Sequence, residues 1–267
     1  MDKSFEVTFL GTNGSCSFNN GKRQKYGTNT PCVAVKAGST ILIFDAGSGI
    51  CNLRYLTDYQ KSHFHLFFSH YHMDHIDGML FCAELFDPSN NFAIYGSGDV
   101  KKEISNIISP PLCPVGIEAF RAEICYHSID SGELIMLPDD VKVRSYNLSH
   151  PGKALGYRVD YCGKSFCYCD DVELTVHQND AGLIEFTGNV DLLVMDSAFT
   201  DGNVIPGWGH SSPGECAKWA KQVNAKQLAL YHYNFLMADD DIDEMEEKAK
   251  IIFPNTFTAY DNMKVLL

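Results

Sequence analysis

The feature that most constrains this chain is a dense group of histidine and aspartate residues that directly follows an apolar run. The run is Phe64–Phe68, and it is followed by His70, His72, Asp74 and His75, which fall within six residues. Packing alone gives no reason to gather such side chains. Imidazole nitrogens and carboxylate oxygens at short spacing are typical ligands of zinc and similar divalent ions. The cluster therefore predicts a metal site, with His70 and His72 facing one ion and Asp74 and His75 facing a second.

Other apolar strands of the chain also end at a titratable residue. The residues at these ends are Asp45, His150, Asp171, Asp196 and His232. Buried strands that deliver such side chains at their ends are how α/β scaffolds build sites. We therefore expect these five residues to lie near the histidine cluster.

The apolar patterning predicts many strands and few helices. The predicted strands are Glu6–Leu10, Thr40–Phe44, Phe64–Phe68, Phe92–Tyr95, Ile124–Ile129, Val141–Tyr146, Leu155–Asp160, Lys164–Tyr168, Asp191–Met195, Gln227–Tyr231 and a closing strand pair in Phe257–Leu267. The predicted helices are Ile50–Tyr59, Ser212–Val223 and Asp241–Phe253. Two long loops, Thr12–Thr30 and Thr200–Gly209, separate some of them. No linker or repeat divides the chain, so we expect one domain over residues 1–267, with two mixed sheets and helices on their outer faces.

Composition limits the compartment and the partners. The chain of 267 residues contains no apolar run long enough to span a membrane and begins without a signal-peptide pattern, so it is predicted to be cytoplasmic. Its 10 cysteines are scattered and are expected to be free thiols. The net charge is −13 and no basic stripe is evident. These features disfavour a long nucleic acid as the partner.

The histidine cluster resembles the His-x-His-x-Asp-His signature of the metallo-β-lactamase fold superfamily of hydrolases. The similarity continues at Gly11–Ser15, Ile43–Gly47, His150–Tyr157, Gly163–Asp171, Gly209–Ser212 and Leu230–Tyr233. The opening loop is most similar to that of the phosphodiesterase and tRNA 3′-processing branches. The resemblance implies a four-layer αββα sandwich with the site at one edge.

The resemblance also implies a role for each candidate site residue. One metal ion would be held by His70, His72 and His150, and the second by Asp74, His75 and His232. Asp171 would bridge the two ions, with the neighbouring Asp170 as the alternative. The implied cofactors are two divalent ions, zinc first, with manganese or iron as alternatives. Asp45 is either a support for a ligand histidine or a simple turn residue.

Two metal ions close together can hold a bridging hydroxide that attacks a phosphoryl group. His210 is the candidate acid for the leaving oxygen, oriented by Asp196, and its alternative interpretation is an ordinary residue at a helix start. Asp74, His210 and Asp196 are thus the predicted catalytic residues. The Asp196 segment departs from the Glu-Ala-Thr type motif of the phosphodiesterase branches.

The substrate follows less directly, because the superfamily hydrolyses lactams, thioesters, lactones and phosphodiesters. The arm that clamps tRNA in the tRNA-processing branch is not evident, and its only candidate is Lys101–Val115. We therefore expect a small phosphodiester, such as a cyclic nucleotide, as the substrate. The alternatives are a nuclease acting on nucleic-acid 3′ ends and a metal-binding sensor without turnover. Dimers are common among similar proteins, so a homodimer is a further expectation. Four aromatics are candidates for stacking on a base or for pocket walls, with an ordinary core or surface position as the alternative for each: Phe18, Tyr26, Phe120 and Trp208.

Overall fold

Two mixed β-sheets of seven strands each form the centre of the protein in a computed structural model that describes residues 3–19, 21–57 and 61–267. The strands of the first sheet are β1 (Phe5–Gly11), β2 (Cys32–Ala37), β3 (Thr40–Phe44), β4 (His63–Phe67), β5 (Asn91–Gly96), β6 (Glu123–Ser128) and β14 (Met263–Leu266). Those of the second are β7 (Leu134–Met136), β8 (Lys142–Leu148), β9 (Ala154–Tyr161), β10 (Lys164–Cys169), β11 (Leu192–Asp196), β12 (Leu228–Tyr231) and β13 (Thr256–Thr258).

The two sheets share one design, with a parallel half and an antiparallel half. The order of the first sheet is β14-β1-β2-β3-β4-β5-β6, and the pairs from β3 to β6 are parallel. The order of the second is β13-β12-β11-β10-β9-β8-β7, and the pairs from β10 to β13 are parallel. The carboxyl ends of parallel strands meet at one edge of a sheet, which is where α/β proteins bind ligands.

The helices lie outside the sheets. They are α1 (Val100–Ile107), α2 (Ala181–Thr187), α3 (Pro213–Gln222) and α4 (Asp239–Ile252). One apolar core lies between the sheets, a second between the second sheet and α3 and α4, and a third between the first sheet and α1. In the central core the ring of Phe44 packs within 5.6 Å of the rings of Phe67, Tyr157, Phe166 and Tyr168. This arrangement confirms the predicted αββα sandwich. No helix within the described residues has both the length and the apolarity needed to cross a membrane.

Several local predictions hold because the signals are short-range. Ser212 caps α3 through a reciprocal capping box with Glu215, and Pro213 is the first helical residue. The hairpin between β9 and β10 turns on Cys162 and Gly163, with φ values of 48° and 77°. Positive φ at both central residues is the geometry that matches the twist of two paired strands.

Other predictions differ from the structure. The expected closing strand pair is wrong, because β13 pairs with β12 and β14 pairs with β1 in the other sheet. The predicted helix Ile50–Tyr59 is a 3₁₀ helix over Ser48–Tyr55, and Tyr59 lies outside the described residues. The sequence analysis did not include β2, β7, α1 or α2. All four elements are short, at three to eight residues, so each offers few repeats of its pattern.

His65 on β4 gives a prediction for stability against pH. The residue is 5% exposed, and its pKa is lowered from 6.5 to about 4. Burial is the main cause, and charge repulsion from His63 and His127 adds to it. Between these two values the unfolded chain binds a proton that the folded chain does not, so the free energy of unfolding falls as the pH falls. The expected loss from this group is up to about 3 kcal/mol over the window.

The measurement is urea unfolding of the wild type and of His65→Leu at several pH values across this window. The metal-site histidines titrate in both proteins, so only the difference between the two slopes reports on His65. The variant should lose less stability on acidification. Parallel slopes would show that His65 does not contribute.

Candidate metal centre

Three histidines from two loops lie close to one carboxylate, that of Asp171, near the ends of the strands that they follow. His70 and His72 follow β4, and His150 follows β8. His72 Nδ1 lies 2.8 Å from His70 Nε2 and 3.1 Å from His150 Nε2. Asp171 Oδ2 lies 3.2 Å from His70 Nε2 and 3.5 Å from His150 Nε2. Nitrogens around a tetrahedral zinc ion at 2.0–2.1 Å stand roughly 3.3 Å apart, so these four residues have a spacing that fits a metal ion.

A second group lies on the other side of Asp171. His75 Nε2 is 3.2 Å from Asp171 Oδ2, and His232 Nε2 is 3.1 Å from Asp171 Oδ1. The Asp74 carboxylate approaches both rings, with Oδ2 at 3.6 Å from His75 Nε2 and 3.3 Å from His232 Nε2. Asp170 can also offer an oxygen to this group. Asp171 belongs to both groups, and its two oxygens face different histidines.

Unpartnered buried atoms supply a test of whether these residues fit a bound cation. Among the described residues, the buried side-chain atoms without a hydrogen-bond partner are His75 Nε2, Asp171 Oδ1, His232 Nδ1 and His232 Nε2. All of them belong to this centre. An unsatisfied buried polar atom is costly, and nearly all such atoms in proteins are paired. A divalent cation would satisfy His75 Nε2, His232 Nε2 and Asp171 Oδ1 together, while His232 Nδ1 lies 3.9 Å from Asp196 Oδ1. The donor set therefore fits a metal.

The pKa values of the two adjacent aspartates, Asp170 and Asp171, are shifted in opposite directions. Burial raises the pKa of Asp170 to about 8, and the neighbouring Asp171 carboxylate adds to this effect. Burial also acts on Asp171, but His232 and His75 outweigh it and hold its pKa well below the usual value. Burial disfavours a charge on His232, yet Asp170 and Asp171 raise its pKa well above 6.5. The carboxylate charge is thus concentrated at Asp171.

Asp45 holds the histidine loop, residues 69–75, in place through hydrogen bonds. It follows β3 with φ of 60° and is fully buried. Its Oδ2 accepts hydrogen bonds from the hydroxyls of Ser69 and Tyr168 and lies 2.9 Å from His75 Nδ1. Its Oδ1 accepts the Ser69 N–H at 2.7 Å. A proton on His75 Nδ1 leaves Nε2 free for a cation, which is the usual arrangement around ligand histidines.

His210 and Asp196 form a close pair beside the two groups. His210 Nδ1 is 2.7 Å from Asp196 Oδ2 and 3.4 Å from Asp171 Oδ1. Burial lowers the pKa of His210, but Asp196 more than offsets this and raises it overall. Asp196 is fully buried, and its other oxygen accepts the Ala198 N–H at 2.8 Å. The predicted pair is therefore in contact, and the His210 side chain is 18% exposed.

A family model described as a beta-lactamase superfamily domain matches residues 42–233, which contain every residue of these groups. The chain belongs to this superfamily. The resemblance to the metallo-β-lactamase fold superfamily is thus confirmed, together with the prediction of a metal-dependent hydrolase.

The chain is also similar to individual proteins along nearly its whole length. Ribonuclease Z of Prochlorococcus marinus subsp. pastoris is 26% identical over 96% of this chain and 97% of its own. Ribonuclease Z of Archaeoglobus fulgidus is 24% identical over 98% and 97%. The first alignment spans 318 positions, whereas this chain has 267 residues, so at least 51 positions of that alignment have no counterpart here.

Solved structures share the superfamily fold. The metallo-beta-lactamase fold protein YhfI of Bacillus subtilis has a TM-score of 0.76 at 18% identity and covers 100% of both chains. A diphosphatase of the PhnP family has a TM-score of 0.72 at 17% identity, with 99% and 97% covered. The short form of human tRNase Z has a TM-score of 0.68 at 20% identity, with 97% and 98% covered.

These relatives correct one expectation. The sequence analysis disfavoured a long nucleic acid because of the net charge of −13 and the lack of a basic stripe, but the similar proteins include ribonuclease Z and tRNase Z. That expectation is wrong. Net charge describes the whole surface, whereas a phosphate bound at this centre would meet its local field, and cations held there would reverse the sign of that field.

The loop that follows β1 contacts the second ligand group, which contains Asp74 and His232. The sequence analysis did not predict this contact. Ser15 N donates to Asp74 Oδ2 at 2.8 Å. A Cβ atom at Gly14 would lie 2.5 Å from His232 Nδ1, so only glycine fits there. Arg23, which is buried, donates to Asn13 Oδ1 and so fixes the start of the loop. The glycine-rich sequence of the loop was the only available signal.

Glu173 is a second residue that sequence reasoning missed. It is 4% exposed, and its Oε2 accepts the N–H groups of Gly207 and Gly209 at 2.8 and 3.2 Å. The Gly209 carbonyl in turn lies 3.0 Å from His150 Nδ1. Glu173 therefore holds the backbone that orients the His150 ring.

Glu173→Ala should weaken zinc binding about 10- to 100-fold, because loss of a partner behind a ligand typically has this effect. Glu173→Gln keeps an amide oxygen for the two glycines and should bind zinc nearly as the wild type does. Competition with a chelating dye measures the affinity. A variant Glu173→Ala that is less stable but binds zinc normally would contradict the role of Glu173 in orienting His150.

Proposed function

We propose that this protein is a metal-dependent ribonuclease that hydrolyses a phosphodiester bond at RNA 3′ ends. The observation that carries the proposal is the His210–Asp196 pair, 2.7 Å apart, beside two ligand groups that share Asp171. A pair of ligand groups suits phosphodiester hydrolysis, and an adjacent acid suits a leaving alkoxide. The similarity to ribonuclease Z proteins over nearly the whole chain supports RNA as the substrate.

We assign the residues of the centre as follows. His70, His72 and His150 would hold one divalent ion, and Asp74, His75 and His232 would hold the second. Asp171 would be shared by the two sites, because its Oδ1 faces His232 and its Oδ2 faces His70 and His75. Two zinc ions bound here would act as Lewis acids and lower the pKa of a water molecule.

The side chains around the centre orient the substrate and supply a proton. Asp196 accepts a hydrogen bond from the Nδ1–H group of His210. This orientation lets His210 donate a proton from Nε2 to the leaving oxygen. Asp45 and Gly209 keep the rings of His75 and His150 in their orientations. The two sheets share the central core on which this edge depends, so we also propose that residues 1–267 act as one hydrolase domain.

A groove beside the first group provides room for an RNA strand. It has a volume of about 1060 Å³ and is lined by His70, His72, His150, Ser131, Asn147 and Lys153, among others. Pockets for small ligands usually measure about 300–1000 Å³. Besides Lys153, the charged residues Glu103 and Asp130 line the groove, and its hydroxyl and amide groups suit the 2′-hydroxyls and base edges of RNA.

The experiment is a substrate panel with protein purified without chelator. RNA with a 3′ extension, RNA with a blocked 3′ end, single-stranded DNA and cyclic mononucleotides are each incubated with zinc and with manganese. The proposal expects cleavage of RNA near its 3′ end and loss of that cleavage after chelation. Turnover of cyclic nucleotides without RNA cleavage would overturn it, as would a metal-loaded protein that turns over none of the panel.

A further inference from the structure

Trp208 is a large aromatic side chain that the protein holds out into solvent on a fixed backbone. Its relative exposure is 60%. The glycines on either side, Gly207 and Gly209, have φ values of 81° and 78°, and both donate their N–H groups to the buried carboxylate of Glu173. The backbone on both sides of Trp208 is therefore anchored, although the indole itself remains exposed.

The position of Trp208 relates it to the metal centre. Gly209, the next residue, contacts His150 Nδ1 through its carbonyl at 3.0 Å. Phe199 lies between Trp208 and the acid of the site, with ring centroids 6.4 Å from Trp208 and 5.8 Å from His210. The indole is thus one residue away from a backbone contact to the candidate ligand His150, and its ring is joined to the candidate acid His210 through the ring of Phe199.

The other three aromatics that the sequence offered for stacking have different surroundings. Tyr26 is 1% exposed, and its hydroxyl contacts Asp243. Phe120 packs against Phe86 at 5.4 Å in the core of the first sheet. Phe18 is 44% exposed and packs edge-on against Phe235 at 6.2 Å. Of these four aromatics, only Trp208 is both exposed and next to a residue, Gly209, that contacts a side chain of the metal centre.

We propose that Trp208 is a stacking platform for the nucleobase next to the scissile phosphate. This inference rests on the proposed ribonuclease function and names how its substrate is held. Base–aromatic stacking contributes to the binding of single-stranded nucleic acids without sequence preference, since every base has a flat face. It also needs no positive charge, which suits a chain with a net charge of −13. The fixed backbone reduces the entropy lost when a base binds.

Fluorescence gives a direct test that does not depend on turnover. The chain has two tryptophans, and the second, Trp219, is 4% exposed and donates its indole N–H to Thr187. Metal-loaded protein is titrated with adenosine monophosphate and, as the control without a base, with ribose 5-phosphate. Adenosine monophosphate should quench the emission and ribose 5-phosphate should not. In Trp208→Phe only Trp219 emits, and its emission should stay constant. Equal quenching by both ligands, or quenching that persists in Trp208→Phe, would overturn the proposal.

Kinetics then connect the platform to the substrate. Trp208→Ala should raise the KM for RNA about tenfold, the effect expected for one stacked base, with little change in kcat. Trp208→Phe should retain most of the affinity. RNA with an abasic residue beside the cleavage site should bind the wild type weakly and should not respond to Trp208→Ala. Ile251→Ala, which removes an exposed apolar side chain from α4, is the matched control.

The outcomes separate this inference from the proposed function. Base-dependent quenching without RNA cleavage supports the platform and overturns only the ribonuclease proposal. RNA cleavage in which Trp208→Ala affects normal and abasic substrates equally supports the ribonuclease and overturns the platform, because Trp208 would then act through loop structure alone.

Discussion

Asp171→Asn is expected to reduce kcat/KM by about a thousandfold or more and to lower the bound metal content. Asp171 is the one carboxylate that faces both ligand groups, with His70 and His75 each 3.2 Å from Oδ2 and His232 3.1 Å from Oδ1. Asparagine keeps the shape but removes the charge and one of the two anionic oxygens. Bound cations contribute several kcal/mol to phosphoryl transfer, and each 1.4 kcal/mol corresponds to about a factor of ten.

Asp170→Asn is the matched control for this prediction. Asp170 Oδ1 accepts the Asp171 N–H at 3.1 Å and Oδ2 lies 3.0 Å from the Tyr168 hydroxyl oxygen, and an asparagine amide, with its oxygen and its NH₂ group, keeps both contacts. Its effect on turnover should stay within roughly tenfold, the lower end for a residue that supports a ligand. Elemental analysis after dialysis measures metal content for both variants, and circular dichroism checks their folding. The reverse ranking of the two variants would assign the bridge to Asp170.

The residues that meet at this centre could largely be named from the sequence, and the reason is local. His70, His72, Asp74 and His75 lie in one short loop, and His150, Asp171 and His232 each follow an apolar strand. Strand ends that share an edge bring their side chains together whatever the details of the loops. What the sequence could not settle was the choice between adjacent residues. Asp170 and Asp171 are both fully buried, but it is Asp171 whose oxygens lie 3.1–3.2 Å from His70, His75 and His232, and that orientation is set by the folded chain.

The remaining features depend on contacts between distant parts of the chain. β13 and β14 are neighbours in sequence, but they join different sheets because their partners, β12 and β1, were fixed elsewhere. Glu173 carries no local motif, and its role comes from two glycines more than thirty residues later. The aromatic at 208 could be named as a stacking candidate, but its exposure and its anchored backbone could not.

The second large effect concerns His210. His210→Ala should lower kcat/KM for RNA by about 10²- to 10⁴-fold, the usual contribution of a general acid. The same variant should cleave bis(p-nitrophenyl) phosphate almost as well as the wild type, because p-nitrophenolate leaves with little need for a proton. Asp196→Asn should also lose more activity on RNA than on the p-nitrophenyl ester, but by a smaller factor. The reason is that Asp196 acts on the substrate only through His210, 2.7 Å away.

Two further measurements distinguish an acid from a metal ligand at this position. The double variant His210→Ala/Asp196→Asn should be no slower on RNA than His210→Ala alone, because residues that act as a unit are not additive. Metal content should be unchanged in His210→Ala, although His210 Nδ1 lies 3.4 Å from Asp171 Oδ1. Equal losses on RNA and on the p-nitrophenyl ester would remove the role of acid. Loss of a bound ion would make His210 a ligand, since Asp171, Asp196, His210 and His232 also stand close enough together to hold a cation.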